Sequence, residues 1–524
     1  MAAIAATLLL RRPVKWIEDR LENLMTAPQA REAEVTVKLA LDVHGHLLAA
    51  QLDCEMNIGA YPQAMECGVF SMMMFPGPYR IPHVGFRARG YFTNTCGWGF
   101  YRGPWMLESL TRETMIDVAA RKIGMDPQRI REHNLIRRDE QPFNMATGLV
   151  IDRITLCETL KQLVEKIDVV GFRREQAMGR LRGRYVGLGI AVFAEPTTMA
   201  FPGVMATDFA QVRVETTGKV VALTSTHSQG HSNQTTLAQI VADELGVDFA
   251  DVTIVEGDSY LGGFGGGAGG SRQAVSGGGA AKMAAALLRE KIRRIAAHVL
   301  NTNLDNVGIR GGEIVVANDA PGTLSLRDVA EIAYFYLDKL PPGTEPGLEC
   351  QYRYRPPPIV FSNAAHACVV DVDIGTGIVK ILRWIASEDC GVMINPAVVE
   401  GQIAGGVVQG IGGVLFEHAS TDASGNPTAV TFKDYLLPLA SDVPRLEFLH
   451  IKTPSQTPGG FKGVGEGGAI IAPPTLVNAI ADALSPFKIR CLDLPLSPNR
   501  LLSLLMAANP TPKLRTSCTP TTED

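Results

Sequence analysis

No two cysteines in this chain are spaced C-x-x-C; the nine stand alone at positions 54, 67, 96, 157, 350, 368, 390, 491 and 518. That excludes zinc ribbons, thioredoxin-type redox motifs and plant-type iron–sulfur ligation. An odd, scattered set in a long chain points to reduced thiols and a cytoplasmic location. Long runs of one charge are missing too. With 49 basic against 54 acidic residues the net charge is −5, which implies neither nucleic acid nor a membrane surface and leaves a small molecule or another subunit as partner. No G-K-[ST] occurs, so there is no P-loop. The apolar start, MAAIAATLLL, precedes its arginines instead of following them and is too short to cross a bilayer. It reads as the end of a buried helix, and no membrane span is expected.

What the chain has is length and patterned apolar content: 524 residues, 46% hydrophobic, enough for several domains and a large core. Val35–Asp53 reads as a hairpin turning near Val43-His44-Gly45. Helical spacing runs over Leu107–Ile123, Leu156–Ile167, Asn233–Leu245, Ala280–Leu300 and about Gly406–His418, and a short helix starts at Asp126-Pro127. Strands are expected at Tyr185–Phe193, Ala210–Val214, Lys219–Thr224, Val252–Val255, Ala367–Val372 and Val379–Ile385. The arginine-rich stretch Arg173–Arg184 reads as a linker, and the polar tail from Asn509 as disordered. Strands and helices mix without regular β-α-β repetition, which argues for an α+β fold.

Four loops join glycine to polar side chains: Tyr101-Arg102-Gly103, Gln229-Gly230, Gly265–Ser271 and Gln409-Gly410. Glycine lets backbone approach a ligand, and N–H groups at a helix start bind anionic oxygen. One such loop is easily a mere turn; four with Gln, Arg or Ser attached point to a ligand with phosphates and ring edges. Gly262–Gly270 holds seven glycines in nine residues and so contains G-x-G-x-x-G. A dinucleotide fingerprint, however, needs an acid about 20 residues on and outside the helix, and the nearest, Glu290, lies within the next helix. That reading is rejected. Glu466, in GVGEGG, is a carboxylate flanked by glycines ahead of a helix with Pro473 and Pro474 at its first turn. It can press against a flat ligand and serve as a base if burial lifts its pKa. The competing reading is a surface carboxylate at a turn; for Arg102 it is pairing with Glu108. Asp389 and Cys390 read as structural, and Glu195-Pro196 is unassigned.

Taken together, RRPVKWIEDRLENL, FTNTCGWGFYRG, SQGHSNQTTLAQIVADELGV, GGSRQAVSGG, EDCGVMINPAVVEGQIAGGVVQGIG, DYLLP and FKGVGEGGAIIAPPTLVNAIADAL, spread over Arg12 to Leu502, resemble the large subunits of molybdenum hydroxylases of the xanthine dehydrogenase, aldehyde oxidoreductase and CO-dehydrogenase group. The resemblance implies two molybdenum-cofactor-binding domains, an incomplete first one at 1–172 and a second at 185–508, with the linker 173–184 between them and the tail 509–524 after them. By the same resemblance, an N-terminal hammerhead domain is expected to be absent. It implies molybdopterin, in its cytosine dinucleotide form, as the carrier of molybdenum. Tyr101, Gly103, Gln229, Gly230, Gly270, Ser271, Arg272, Gln409, Gly410 and Gly465 would hold it. The metal takes its sulfurs from the pterin, so no protein metal ligand is expected.

By the same resemblance, Glu466 is the base that takes the proton of the attacking water-derived oxygen, and Arg102 stabilises negative charge on the substrate. Pro104 and Trp105 lie at the substrate. Electrons leave through an iron–sulfur small subunit and an FAD-bearing medium subunit, and a separate N-terminal fragment of the same subunit is a further expected partner. Gly103 stands where copper-containing CO dehydrogenases place a cysteine, and copper there needs a soft thiolate. Pro104 replaces the aromatic residue that stacks on purines. An aldehyde or N-heterocycle is therefore the expected substrate. The alternatives are an inactive or split cofactor-binding remnant and a CO-dehydrogenase-like large subunit.

Overall fold

The computed structural model describes residues 2–61, 67–200, 207–258, 260–261, 263–317, 324–490 and 493–508; the tail 509–524 and Gly262 lie outside them. Alternating burial along Ala33–Leu41 and Leu47–Gly59 gives the expected antiparallel hairpin, and His83–Phe92 adds to it in parallel. A second sheet runs Leu446–His450, Val379–Asp389, Ile359–Val372, Tyr185–Met199, with only the first pair parallel. A third runs Glu349–Tyr354, Asp208–Val214, Val220–Thr224, Val252–Val255. The 27-residue helix Gln273–Val299 packs on this last sheet and builds one core with it. The expected α+β mixture is what the chain adopts.

The helix Gly467–Ala483, buried along its whole length, lies on strand Tyr185–Met199 and against helices Pro396–Leu415 and Trp105–Lys122. Two glycines in the strand permit this. A Cβ on Gly187 or Gly189 would stand 2.0 Å from the carbonyl oxygen of Ala479 or Thr475. Pro473 and Pro474 sit inside this helix, past the first turn where the sequence had placed them. Pro474 cannot donate to the carbonyl of Ile470, and the hydroxyl of Ser109 donates to it instead, at 2.5 Å. So anchored, the helix fixes the residue at its N-cap, Glu466.

Several boundaries differ from the sequence reading. Gln273–Val299 and Pro396–Leu415 begin well upstream of the expected Ala280 and Gly406. Their glycines have poor helix propensity, which burial overrides. For the second, Asn395 caps Val398 N–H at 3.2 Å with Pro396 at the first helical position. The stretch expected as a linker is mostly the helix Val169–Leu181. It is docked: Arg173 and Gln176 both reach Asp482 at 2.7 Å. The N-terminal helix Ala2–Leu10, expected to be buried, buries no residue. Pro396–Leu415 is long and apolar enough to cross a membrane by length and composition, and half of it is buried inside the protein.

Candidate active site

Four helices begin around one cavity of about 430 Å³. Asn233–Leu245 starts just after Gln229-Gly230, Gln273–Val299 after Ser271-Arg272, Pro396–Leu415 at Asn395 and Gly467–Ala483 at Glu466. Each start presents backbone N–H groups and the positive end of a helix dipole, which favours an anionic ligand. Of the residues expected to hold a cofactor, Tyr101, Gly103, Gln229, Gly230, Ser271 and Gly465 line the cavity, with Arg102 and Glu466. Arg102 and Ser271 hold left-handed backbone, with φ of 59° and 53°, strain of the kind that gathers at functional sites.

Glu466 is buried rather than at the surface. Gly270 N–H donates to its Oε1 at 2.9 Å, and its own N–H donates to the Ser271 hydroxyl at 3.0 Å. Oε2 is buried with no hydrogen-bond partner among the described residues. It lies against Gly103, where a Cβ would stand 2.3 Å from it, on a backbone of φ +60°. Burial pushes the Glu466 carboxyl up, while the Gly270 N–H and the charges of Arg31 and Arg102 pull the other way. The result is a carboxylate with one oxygen fixed and the other free to accept a proton.

Arg102 does not pair with Glu108, which is bound to Arg112. Instead it donates to Gln409 Oε1 at 3.2 Å and lies over the Tyr101 ring, while Gln409 Nε2 donates to the Tyr101 carbonyl at 3.1 Å. Gln409 thus supports the Tyr101–Gly103 loop from outside the cavity lining. Gly410 packs on Ala472 and does not border the cavity. Arg272 is buried beneath the glycine loop, pairing with Asp208 at 2.9 Å and donating to the Gly267 carbonyl at 3.1 Å. Pro104 and Trp105, expected at the substrate, do not line this cavity. They open the helix Trp105–Lys122, and the Trp105 ring is buried in the core beneath the loop, outside the cavity. Phe100 and Tyr101 stand at the cavity in their place.

Residues that sequence reasoning passed over complete the site. Arg31, in left-handed backbone at φ 71°, gives Nη2 to the carbonyls of Tyr101, Arg102 and Gly103 at 2.5, 3.2 and 3.4 Å. Burial lowers its pKa, while Glu466, Glu417 and Tyr435 raise it. Glu195 accepts the Ser271 hydroxyl at 2.5 Å. Lys462, whose pKa burial lowers, lines the cavity and stands 3.3 Å from Asp389. Asp389 also takes the Thr155 hydroxyl at 2.7 Å and Gly391 N–H at 3.0 Å, the structural role expected of it. Arg31 lies in a stretch with no periodic pattern. Glu195 had a signal: a carboxylate at the end of an otherwise apolar strand.

Among the described residues no cluster of three or more His, Cys, Asp or Glu side chains is placed to hold a metal ion. A metal here would have to bring its own ligands, as one carried by a sulfur-bearing pterin does. The four helix starts suit phosphates, the glycine walls suit a flat ring system, and the orphaned Glu466 Oε2 awaits a donor. The residues fit such a cofactor.

The comparisons agree. Models of the molybdopterin cofactor-binding domain match residues 1–135 and 162–444. The chain is 39% identical over 508 residues to the nicotine 6-hydroxylase large subunit of Paenarthrobacter nicotinovorans, covering 94% of this chain and 62% of that one. It is 34% identical to the carbon monoxide dehydrogenase large chain of Hydrogenophaga pseudoflava, covering 97% and 65%. The crystal structure of quinoline 2-oxidoreductase from Pseudomonas putida 86 superposes with a TM-score of 0.92 at 36% identity, covering 96% of this chain and 66% of that one. The chain thus spans somewhat under two thirds of the length of these relatives. With one family model covering more than half of its residues, the chain belongs to the molybdopterin cofactor-binding domain family.

Proposed function

We propose that this chain is the cofactor-binding part of a molybdenum-dependent hydroxylase that oxidises an N-heterocycle or aldehyde with water-derived oxygen. One observation carries the reading: a buried glutamate at a helix start, one oxygen held by Gly270 N–H and the other unpaired, beside a cavity ringed by helix N-termini. Bound there, molybdopterin, in its cytosine dinucleotide form, would supply a two-electron acceptor at molybdenum. Glu466 accepts at Oε2 the proton of the attacking water-derived oxygen. Its raised pKa brings it nearer working pH, where a base is most effective. Arg102, steadied by Gln409, holds positive charge at the cavity for the negative charge that develops on the substrate. Arg31 fixes the Tyr101–Gly103 carbonyls, and the loops at Gln229-Gly230 and Gly270–Arg272 grip the ligand with backbone and side-chain donors.

Nicotine and quinoline, the compounds in two relatives' names, are both N-heterocycles, which favours that class over aldehydes. The CO-dehydrogenase reading is disfavoured by Gly103, which offers no thiolate for copper. The intact geometry of Glu466 speaks against an inert remnant. Two electrons per turnover must leave, and we assign them to an iron–sulfur small subunit and an FAD-bearing medium subunit. In this reading the location is cytoplasmic. The test is metal and pterin-nucleotide analysis of the purified complex. Gln229→Ala and Gln409→Ala should each lower molybdenum content without unfolding the protein. Full occupancy in both would place the cofactor elsewhere.

A further inference from the structure

Glu195 stands behind the candidate base and has no task in the mechanism above. It lies in strand Tyr185–Met199, in register opposite Ser362, and has no exposure to solvent. Its Oε1 accepts the Ser271 hydroxyl at 2.5 Å, and that same hydroxyl oxygen accepts the Glu466 N–H at 3.0 Å. Ser271 therefore ties two carboxyl-bearing residues together from the cavity wall. Oε2 of Glu195 is buried, with the Ser362 hydroxyl nearby but no close hydrogen-bond partner among the described residues.

The surroundings of the two acids differ in sign. The titratable groups facing Glu195 are Glu466, from the helix packed on its strand, and Glu388, from strand Val379–Asp389; the hydroxyls of Ser271 and Ser362 oppose them. Glu388 is itself paired with His366 at 2.8 Å. Glu466, in contrast, faces the guanidinium groups of Arg31 and Arg102 and holds the Gly270 N–H. Two carboxyls sharing a water-poor pocket do not both ionise readily, and the one that faces cations takes the charge. A neutral hydroxyl at Glu195 Oε2 also tolerates a missing partner at far less cost than an anionic oxygen.

We propose that Glu195 is a positioning residue for this reaction: a neutral carboxylic acid that, through Ser271, braces the base and leaves the pair's single negative charge on Glu466. The proposal rests on Glu466 being the base. Burial first, then the nearness of Glu466, raise the Glu195 carboxyl well above the ordinary range, in agreement.

The test is infrared spectroscopy of the assembled complex near neutral pH, comparing wild type with Glu195→Gln and Ser271→Ala. A protonated-carboxyl stretch present in wild type should vanish in Glu195→Gln and shift in Ser271→Ala, where it loses a hydrogen bond. Superimposable spectra overturn the proposal. Should Glu195→Gln not fold, Ser271→Ala alone decides: a shifted band supports the proposal and an unmoved one overturns it. In substrate reduction, Glu195→Ala should be slower by about tenfold or more and Glu195→Gln should recover most of the loss. An acid limb moved down by roughly one pH unit in Glu195→Gln would mark Glu195 as an anion and overturn the assignment. If Glu466→Gln reduces like wild type, the base assignment fails while the carboxyl band stays, so the two failures are distinguishable.

Discussion

Two groups of buried acids among the described residues, one around Glu113 and one around Glu466, are treated in different ways. In the first, Glu113 accepts Arg112 Nε at 3.0 Å and Arg131 Nε at 2.9 Å, and also the Tyr79 hydroxyl at 3.0 Å and Val192 N–H at 3.1 Å. Arg131 reaches Asp117 at 2.6 Å as well. Glu108, at the edge of the network beside Arg112, has its carboxyl pushed up to about 8 by burial. In the second cluster Glu466 and Glu195 have no ion pair among the described residues, and each keeps one oxygen without a partner. Glu113 uses its lone pairs to join the helix Trp105–Lys122 to the helix Pro127–Asn134 and to strand Tyr185–Met199. Glu466 keeps one free beside the cavity. Glu113, which ties elements of the fold together, is saturated with donors, whereas Glu466, beside the cavity, is left incomplete.

The largest effect that would break this contrast is in the first cluster. Glu113→Ala removes the carboxylate that two buried arginines share, leaving Arg112 only Glu108 and Arg131 only Asp117, which costs on the order of 3 kcal/mol. Denaturant unfolding should show this, and a loss below about 1 kcal/mol would mean the network is not structural. Next is Gly103→Ala. Its methyl would collide with Glu466 Oε2, and a displacement of that order slows chemistry by roughly 100-fold. Substrate reduction at equal metal content is the measurement, and a wild-type rate would show that Oε2 is not the working oxygen.

A smaller effect concerns pH. Glu466 must be ionised to accept a proton, so the rate falls as pH drops through its pKa, and burial places that acid limb above the ordinary glutamate range. Arg31 opposes the rise, so Arg31→Gln should move the limb up by about one pH unit; a limb that moves down or stays contradicts the assigned electrostatics. The smallest is a control far from both clusters. Ser325 caps the helix Leu326–Phe335 and pairs reciprocally with Asp328. Ser325→Ala should cost about 1 kcal/mol of stability and leave substrate reduction untouched.

Much of this was legible beforehand. The alternation in the first hairpin, the apolar spacing of Leu156–Ile167 and Asn233–Leu245, and Asp126 capping Gln128 N–H with Pro127 behind it all state their elements locally. The loops around the cavity could be picked out because four of them, and not one, join glycine to Gln, Arg or Ser. What escaped is decided by tertiary contact. The glycines at 277–279 argue against a helix until the core that buries them is known. The burial of the Trp105 ring is likewise set by helix packing and not by its neighbours in sequence. Arg31 serves the site through three carbonyls seventy or more residues away. Nothing near it in sequence announces that.

The most direct test of the central claim is Glu466→Gln in the assembled complex. Rapid reduction of the molybdenum centre by substrate and the metal content would be measured on the same sample. Glutamine keeps the size and the acceptor for Gly270 N–H but cannot serve as a base. Metal should remain, while reduction slows by about 100- to 10,000-fold. Reduction at the wild-type rate with equal metal would contradict the account and leave Glu466 a buried helix-start residue with no part in the chemistry.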